Sequence, residues 1–317
     1  MIVPSNTSTA VRFIEVDQDA AGQRIDNFLF GQLKGVPKSH VYRILRTGQV
    51  RINGGRIRAE YKLTAGDVIR VPPVRSAAVS GGEPSRSWGS DKLEHRILYE
   101  DDHLLVLNKP AGMAVHGGSG VSFGVIEGLR AVRPEARFLE LVHRLDRDTS
   151  GCLLIAKRGV ALRDLHRQFR GDDVEKSYIA LLSGNWARKA AVVDVPLLKN
   201  VLQGGERFVK VSRRGKEAVT EFRRLQRFAD ATLVEARPMT GRTHQIRVHA
   251  KSLGYPLACD ERYGEEEANR RFRQRGLKRL FLHAASLTFY HPETRRVLRI
   301  DAPLEPDLAD FLAILKG

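Results

Sequence analysis

The chain has 317 residues, 42% of them hydrophobic, with 53 Lys plus Arg against 37 Asp plus Glu, a formal net charge of +16. That length predicts two domains, and the cationic excess points to a polyanionic partner, because basic faces gain affinity by displacing counterions from phosphates. Only Cys152 and Cys259 occur, far apart and outside any CxxC, which gives no support for a disulfide framework or zinc site and fits a reducing cytoplasm.

The N-terminal MIVPSNTSTAVRF lacks a basic segment followed by an apolar core, so no signal peptide is expected. No run approaches the roughly twenty apolar residues of a membrane span. Ile25, Phe28, Leu29 and Leu33 follow helical spacing. A second helix is predicted from about Ser39, with Val41, Ile44 and Leu45 on one face and Gly48 as its stop. Short strands follow around Val50–Ile52 and Val68–Val71, with Gly54-Gly55 as a turn. Between Lys38 and Arg58 stand six basic residues and no acidic one: Lys38, Arg43, Arg46, Arg51, Arg56 and Arg58. Solvated faces ordinarily mix their signs, so this patch is expected to meet nucleic acid.

Gln18 to Pro73 resembles the S4 RNA-binding domain, on the strength of GQRIDNFL, PKSHVYRILRTGQVRING and AGDVIRV. The resemblance implies a compact basic face that grips structured RNA, with Lys38, Arg43, Arg46 and Arg51 as contacts. Next, Ser76 to Ser90, rich in Ser and Gly, reads as a flexible linker. The expected division is an RNA-binding module over 18–75, a linker over 76–92 and a catalytic domain over 93–317.

In the larger module Ile97–Tyr99, Leu104–Leu107, Cys152–Ala156, Tyr178–Leu182 and Thr232–Ala236 read as strands, Val160–Arg170 and Thr243–Leu253 as helices. Strands and long helices do not alternate regularly. That excludes a doubly wound sheet and favours an α+β fold. The chemistry-bearing stretch is LVHRLDRDTSG at 141–151, which crowds two carboxylates and two arginines beside the apolar run from Cys152. Extended, it would project Arg144, Asp146 and Asp148 to one side, before Thr149-Ser150-Gly151 turns into the strand. An aspartate among arginines stays ionised, which suits a nucleophile or a stabiliser of positive charge; on spacing alone, a buried Asp–Arg pair that fixes a turn fits slightly better.

HRLDRDTSG is similar to the hallmark of the pseudouridine synthase family. NKPAGMAVHGG (108–118), KSYIALLSG (176–184), TGRTHQIRVHA (240–250) and RLFLHA (279–284) follow in the family's order. The resemblance implies a mixed, mainly antiparallel sheet with flanking helices, and an isomerase that turns uridine into pseudouridine in RNA. Within the family, the pieces RIDNFL, YRILR, SFGVIEGLRA and PLLKN point to 23S ribosomal RNA of the large subunit and to several uridines. Transfer RNA as substrate, or a non-catalytic role in ribosome assembly, are the competing readings.

The same resemblance makes Asp146 the catalytic carboxylate and Asp148 a helper of the turn. It makes Tyr178 the active-site tyrosine near uracil C5, and Arg247 the base that ion-pairs with Asp146. Arg144 would fill the space of a flipped nucleotide, with His143 and Arg242 at the substrate; Arg242 and His244 read as RNA contacts or helix-start residues. No cofactor and no metal are implied, and the ten histidines show no ligand spacing. A monomer is expected. HGGSG resembles an esterase oxyanion loop, but no GxSxG elbow accompanies it. Cys259 stands where the family often has glycine, before Asp260-Glu-Arg-Tyr-Gly264. ANRRFRQRGLKR (268–279) reads as a surface loop or helix near RNA, or as simply solvated.

Overall fold

The computed structural model describes residues 10–33, 36–74, 91–117, 123–136, 138–171, 173–203 and 206–316. The stretch read as a linker, Ser76 to Ser90, lies outside them, as does the HGGSG segment beyond Gly117. The chain divides into two compact units, Met1–Trp88 with Arg158–Val160, and Gly89–Lys157 with Ala161–Gly317.

The smaller unit runs β1 (Arg12–Glu15), α1 (Ile25–Gln32), α2 (Lys38–Arg46), β2 (Arg51–Ile52), β3 (Gly55–Arg56) and β4 (Val68–Val71). The predicted stripes do the packing: Ile25, Phe28, Leu29 and Leu33 meet Val41, Ile44 and Leu45 in one core, closed below by Ile52, Ile69 and Val71. Gly48, at φ +70°, ends the turn after α2, a backbone that glycine adopts without penalty. The four strands form an antiparallel sheet ordered β1-β4-β2-β3.

The larger unit continues with α3 (Asp91–Glu94), β5 (Ile97–Glu100), β6 (Leu104–Lys109), α4 (Val125–Val132), β7 (Glu140–Leu141), β8 (Ser150–Ala156) and α5 (Gly159–Arg170). Then come β9 (Glu175–Ser183), β10 (Ala190–Asp194), β11 (Leu197–Gln203), β12 (Glu206–Val211), β13 (Val219–Arg227) and β14 (Ala231–Pro238). The chain closes with α6 (Gln245–Ser252), α7 (Glu266–Gln274), β15 (Leu282–Tyr290), β16 (Val297–Asp301) and α8 (Pro306–Lys316).

Ten strands make one sheet, ordered β10-β13-β14-β9-β15-β8-β6-β5, with β16 beside β15 and β7 beside β8. Every pairing in it is antiparallel except β15 with β8. This is the α+β architecture expected from the irregular order of strands and helices. Strands β6 and β8 are buried throughout, as their unbroken apolar runs require. The turn anticipated over Thr149-Ser150-Gly151 is shorter than that: Ser150 and Gly151 already belong to β8. There the backbones of β8 and β15 nearly touch. A Cβ on Gly151 (φ +109°) would lie 2.2 Å from the carbonyl oxygen of Ala284, so only glycine fits.

Among the described residues no helix is long and apolar enough to cross a membrane. The Arg-rich stretch is more than solvated surface. Most of it forms α7, and Ala268, Asn269 and Phe272 on one face are buried, Phe272 meeting Phe311 edge-on.

Candidate active site

The loop between β7 and β8 carries His143 to Thr149. Leu145 drives it inward, packing with Leu107, Leu153 and Ile126 in the core beneath the sheet. With Leu145 as the anchor, Arg144 and Asp146 on either side of it face a cleft of about 280 Å³. This is near the low end for small-molecule sites, roughly 300–1,000 Å³. It admits a nucleoside but no duplex. Asp148 departs from the expected alternation, since it pairs with Arg147 at 3.3 Å on the surface and does not line the cleft. The loop is a tight turn, closed by Thr149 N–H donating to Asp146 C=O, and the two-residue period of an extended chain stops there.

A buried ammonium locks the loop in place. Lys109, at the end of β6, is fully buried and donates to the carbonyls of Pro110 (2.8 Å), Met113 (2.9 Å) and Arg147 (3.0 Å). Burial lowers its pKa to about 7, against the pull of Asp148 and Asp146. The NKPAG run is legible as a motif, yet nothing in it tells which residue reaches the loop that carries Asp146. His143 performs a similar service from the other side. Its Nε2 accepts from Leu154 N–H at 3.0 Å and its ring stacks on Phe169 at 4.9 Å. Burial, with help from Lys176, lowers the imidazole to about 4, so it is neutral. His143 and the exposed Arg144 both line the cleft.

The opposite wall is α6 and its approach. Arg247 is nearly buried and forks onto Asp260, with Nε and Nη2 donating to the two carboxylate oxygens at 2.7 Å each. Its remaining nitrogen, Nη1, lies 3.6 Å from Asp146 Oδ2. Burial works against this cation, but the bond to Asp260 and the charges of Asp260 and Asp146 outweigh it, and its pKa ends above normal. Asp260 is fully buried; burial would raise its pKa, yet Arg247 and the N–H groups of Tyr263 and Arg262 bring it down. The ring of Tyr263 covers the guanidinium at 5.0 Å. Sequence reading noticed the segment around Asp260 but gave it no part in the site.

His244 was assigned only to the helix start or to RNA. It does precede α6, at φ +55°, and it also turns Nε2 to within 3.7 Å of Asp146. The hydroxyl of Tyr263 accepts from Val209 N–H (3.1 Å) and lies 2.7 Å from His244 Nδ1. The Asp146 carboxylate beside Nε2 favours the tautomer with its proton there, which leaves Nδ1 to accept from the Tyr263 hydroxyl. Burial lowers the His244 pKa despite Asp146, so the ring is neutral. Asp146 therefore meets one cation and one N–H, both too distant to saturate it, while its side chain stays 23% exposed to the cleft.

Tyr178, on β9, borders the same cleft between two apolar clusters. Burial and the Asp146 charge raise its pKa well above the ordinary phenol value, so it keeps its proton at neutral pH. Arg242 lines the rim; its N–H donates to Gln245 Oε1 (2.9 Å) and its Nε to Glu217 C=O (2.9 Å). Among the described residues there is no cluster of three metal-ligating side chains.

In the smaller unit the basic residues separate. Arg43, Arg46, Arg56 and Arg58 surround a groove with Tyr42, while Lys38 lies over the Phe30 ring at 5.3 Å and Arg51 is exposed on the sheet.

Comparison with known proteins agrees with both units. Residues 103–252 match the family model of RNA pseudouridylate synthase and residues 23–69 that of the S4 domain. The chain is 59% identical over 309 residues to ribosomal large subunit pseudouridine synthase C of Yersinia pestis, covering 96% of each chain. It is 58% identical to the protein of that name from Escherichia coli (strain K12), covering 97% of this chain and 98% of that one. Human RNA pseudouridylate synthase domain containing 4 superposes with a TM-score of 0.59 at 26% identity, over 72% of this chain and 95% of that one. The curated relatives are matched almost end to end. Cys259 adopts φ +55°, the backbone that glycine would favour, and its thiol donates to Leu277 C=O at 3.3 Å. The chain belongs to the RNA pseudouridylate synthase family.

Proposed function

We infer that the chain converts specific uridines of 23S ribosomal RNA in the large subunit into pseudouridine, with Asp146 as the catalytic carboxylate. The observation that carries this is Asp146 facing a nucleoside-sized cleft with Arg247 at 3.6 Å behind it. The reaction breaks the bond from N1 to C1′, turns the freed uracil and joins C5 to C1′; C5 loses a proton and N1 gains one. A carboxylate can bond to C1′ or stabilise positive charge there, as in glycoside cleavage. A uridine stacked in RNA must first swing out, at a cost of a few kcal/mol.

Arg144 at the rim fills the space the nucleotide leaves, because a guanidinium stacks and donates while charged. Tyr178 packs beside the uracil; its hydroxyl takes up the C5 proton while handing its own to solvent in the cleft, from which N1 takes one, so that no net proton is gained or lost. Arg247 positions Asp146. His143 and Arg242 shape the cleft edge nearest the substrate. The smaller unit captures the RNA, with Lys38, Arg43, Arg46 and Arg51 at the phosphates. The functional boundaries we propose are 18–75 for the RNA-binding module and 93–317 for the catalytic domain, in a monomer that works in the cytoplasm. The printed names of the curated relatives support the ribosomal substrate.

The test has two parts. Asp146→Asn should lower isomerisation by at least about a thousandfold while RNA affinity stays within a few fold. Pseudouridine mapping of RNA from cells lacking the gene should lose sites in 23S ribosomal RNA; losses confined to transfer RNA would overturn the substrate.

A further inference from the structure

The outer face of the small sheet carries one row of side chains that crosses all four strands. In register, Phe13 on β1 stands opposite Arg70 on β4, Arg70 opposite Arg51 on β2, and Arg51 opposite Arg56 on β3. Directly paired residues share a face, so this is one line of an aromatic ring and three guanidinium groups. Three steps of about 4.8 Å between strands make it about 14 Å long. Phe13 is 68% exposed and Val68, in the next row opposite Glu15, is 40% exposed. Glu15 is the one carboxylate of this face.

Sheet energetics disfavour such a row. Like charges directly opposite one another destabilise a sheet, and a large ring in water forgoes its burial. Among the described residues none of the three arginines meets a carboxylate. Arg70 donates to Gln49 C=O (2.9 Å), and Arg51 to the carbonyls of Gly48 and Gly54 (3.3 Å each). These bonds hold the Arg70 and Arg51 guanidinium groups in place without neutralising them. The arrangement asks for an anion along the row and a flat apolar partner at its end.

We propose that this face is a platform for an unpaired stretch of RNA: one base stacks on Phe13 while Arg70, Arg51 and Arg56 engage the phosphates that follow. Arg56 also borders the groove beside α2, so the row extends the basic surface across the sheet. An unpaired strand is the fitting partner because only its bases offer a free π-face, and stacking of this kind tolerates any base. The proposal rests on the reading of the chain as an RNA enzyme, and it adds a second, sequence-tolerant contact outside the cleft.

Anisotropy with fluorescein-labelled decaadenylate tests it on the full chain, since that probe contains no uridine. Phe13→Ala should weaken binding by about tenfold, Phe13→Trp should restore it, and Phe13→Leu should not. A blunt ten-base-pair RNA duplex should bind all four proteins alike. Arg51→Gln should lower the salt dependence by about one counterion. Unchanged thermal unfolding of Phe13→Ala would separate these effects from folding. Equal affinity of Phe13→Ala and wild type for decaadenylate overturns the platform, as does an equal loss on the duplex. A wild-type dimer that Phe13→Ala dissociates also overturns it, in favour of contact between copies. If wild type ignores decaadenylate yet isomerises ribosomal uridines, the platform alone fails. If no ribosomal pseudouridine depends on the gene, the enzyme reading fails instead.

Discussion

Arg247 faces Asp146 across 3.6 Å with the one guanidinium nitrogen that its fork onto Asp260 leaves over. The carboxylate that was expected to own this arginine is therefore its second partner. Asp260 orients the cation, and the cation in turn fills the wall behind Asp146.

Removing either end of the buried pair should be costly. Arg247→Ala strands the Asp260 charge in the interior, for an expected loss of about 3–5 kcal/mol, visible in urea unfolding. Arg247→Lys keeps a charge but cannot fork, so it should fold while the single-turnover rate falls about a hundredfold. Asp260→Asn should lower the rate as well, with RNA affinity unchanged. A normal rate in Arg247→Lys at saturating RNA would remove the positioning role.

Tyr178→Phe keeps the ring that borders the cleft and deletes only the hydroxyl. Single-turnover isomerisation should drop by roughly 10²–10⁴-fold, with affinity for the RNA within twofold. Loss of affinity together with an intact rate would make Tyr178 a packing residue only.

His143 links pH to stability. Its pKa falls from 6.5 unfolded to about 4 folded. Between those values the unfolded chain binds more protons, so stability declines as pH falls from 6.5 toward 4, by at most about 3 kcal/mol from this group. His143→Gln can still accept from Leu154 N–H but does not titrate. It should be less stable than wild type at pH 7.5 and should lose less between pH 7 and pH 4.5, as melting temperatures would reveal. Parallel pH curves for the two proteins would refute the assignment.

Cys259 sits where an L-residue costs about 1–2 kcal/mol, and its buried thiol returns a similar amount. Cys259→Gly should therefore be close to neutral, and Cys259→Ala, which keeps the strain and loses the sulfur, should melt lower than either. Differential scanning calorimetry distinguishes the order.

Periodicity and motif spacing carried a good deal by themselves. The two apolar stripes of the first helices, the buried runs at Leu104–Leu107 and Cys152–Ala156, and the helix around Arg247 all lie where local pattern put them, because burial of a repeating face is a short-range property of the chain. HRLDRDTSG likewise drew attention to the loop whose Asp146 lines the cleft. What the pattern could not reach was every partner brought in from far along the chain: Lys109 under the loop, Asp260 behind Arg247, His244 beside Asp146, and the line from Phe13 to Arg56. Those contacts depend on strand register and on which carbonyls a turn leaves pointing inward. Spacing in sequence says nothing of either, since a hydrogen bond and an ion pair are decided by ångströms in space, and only the folded sheet sets those.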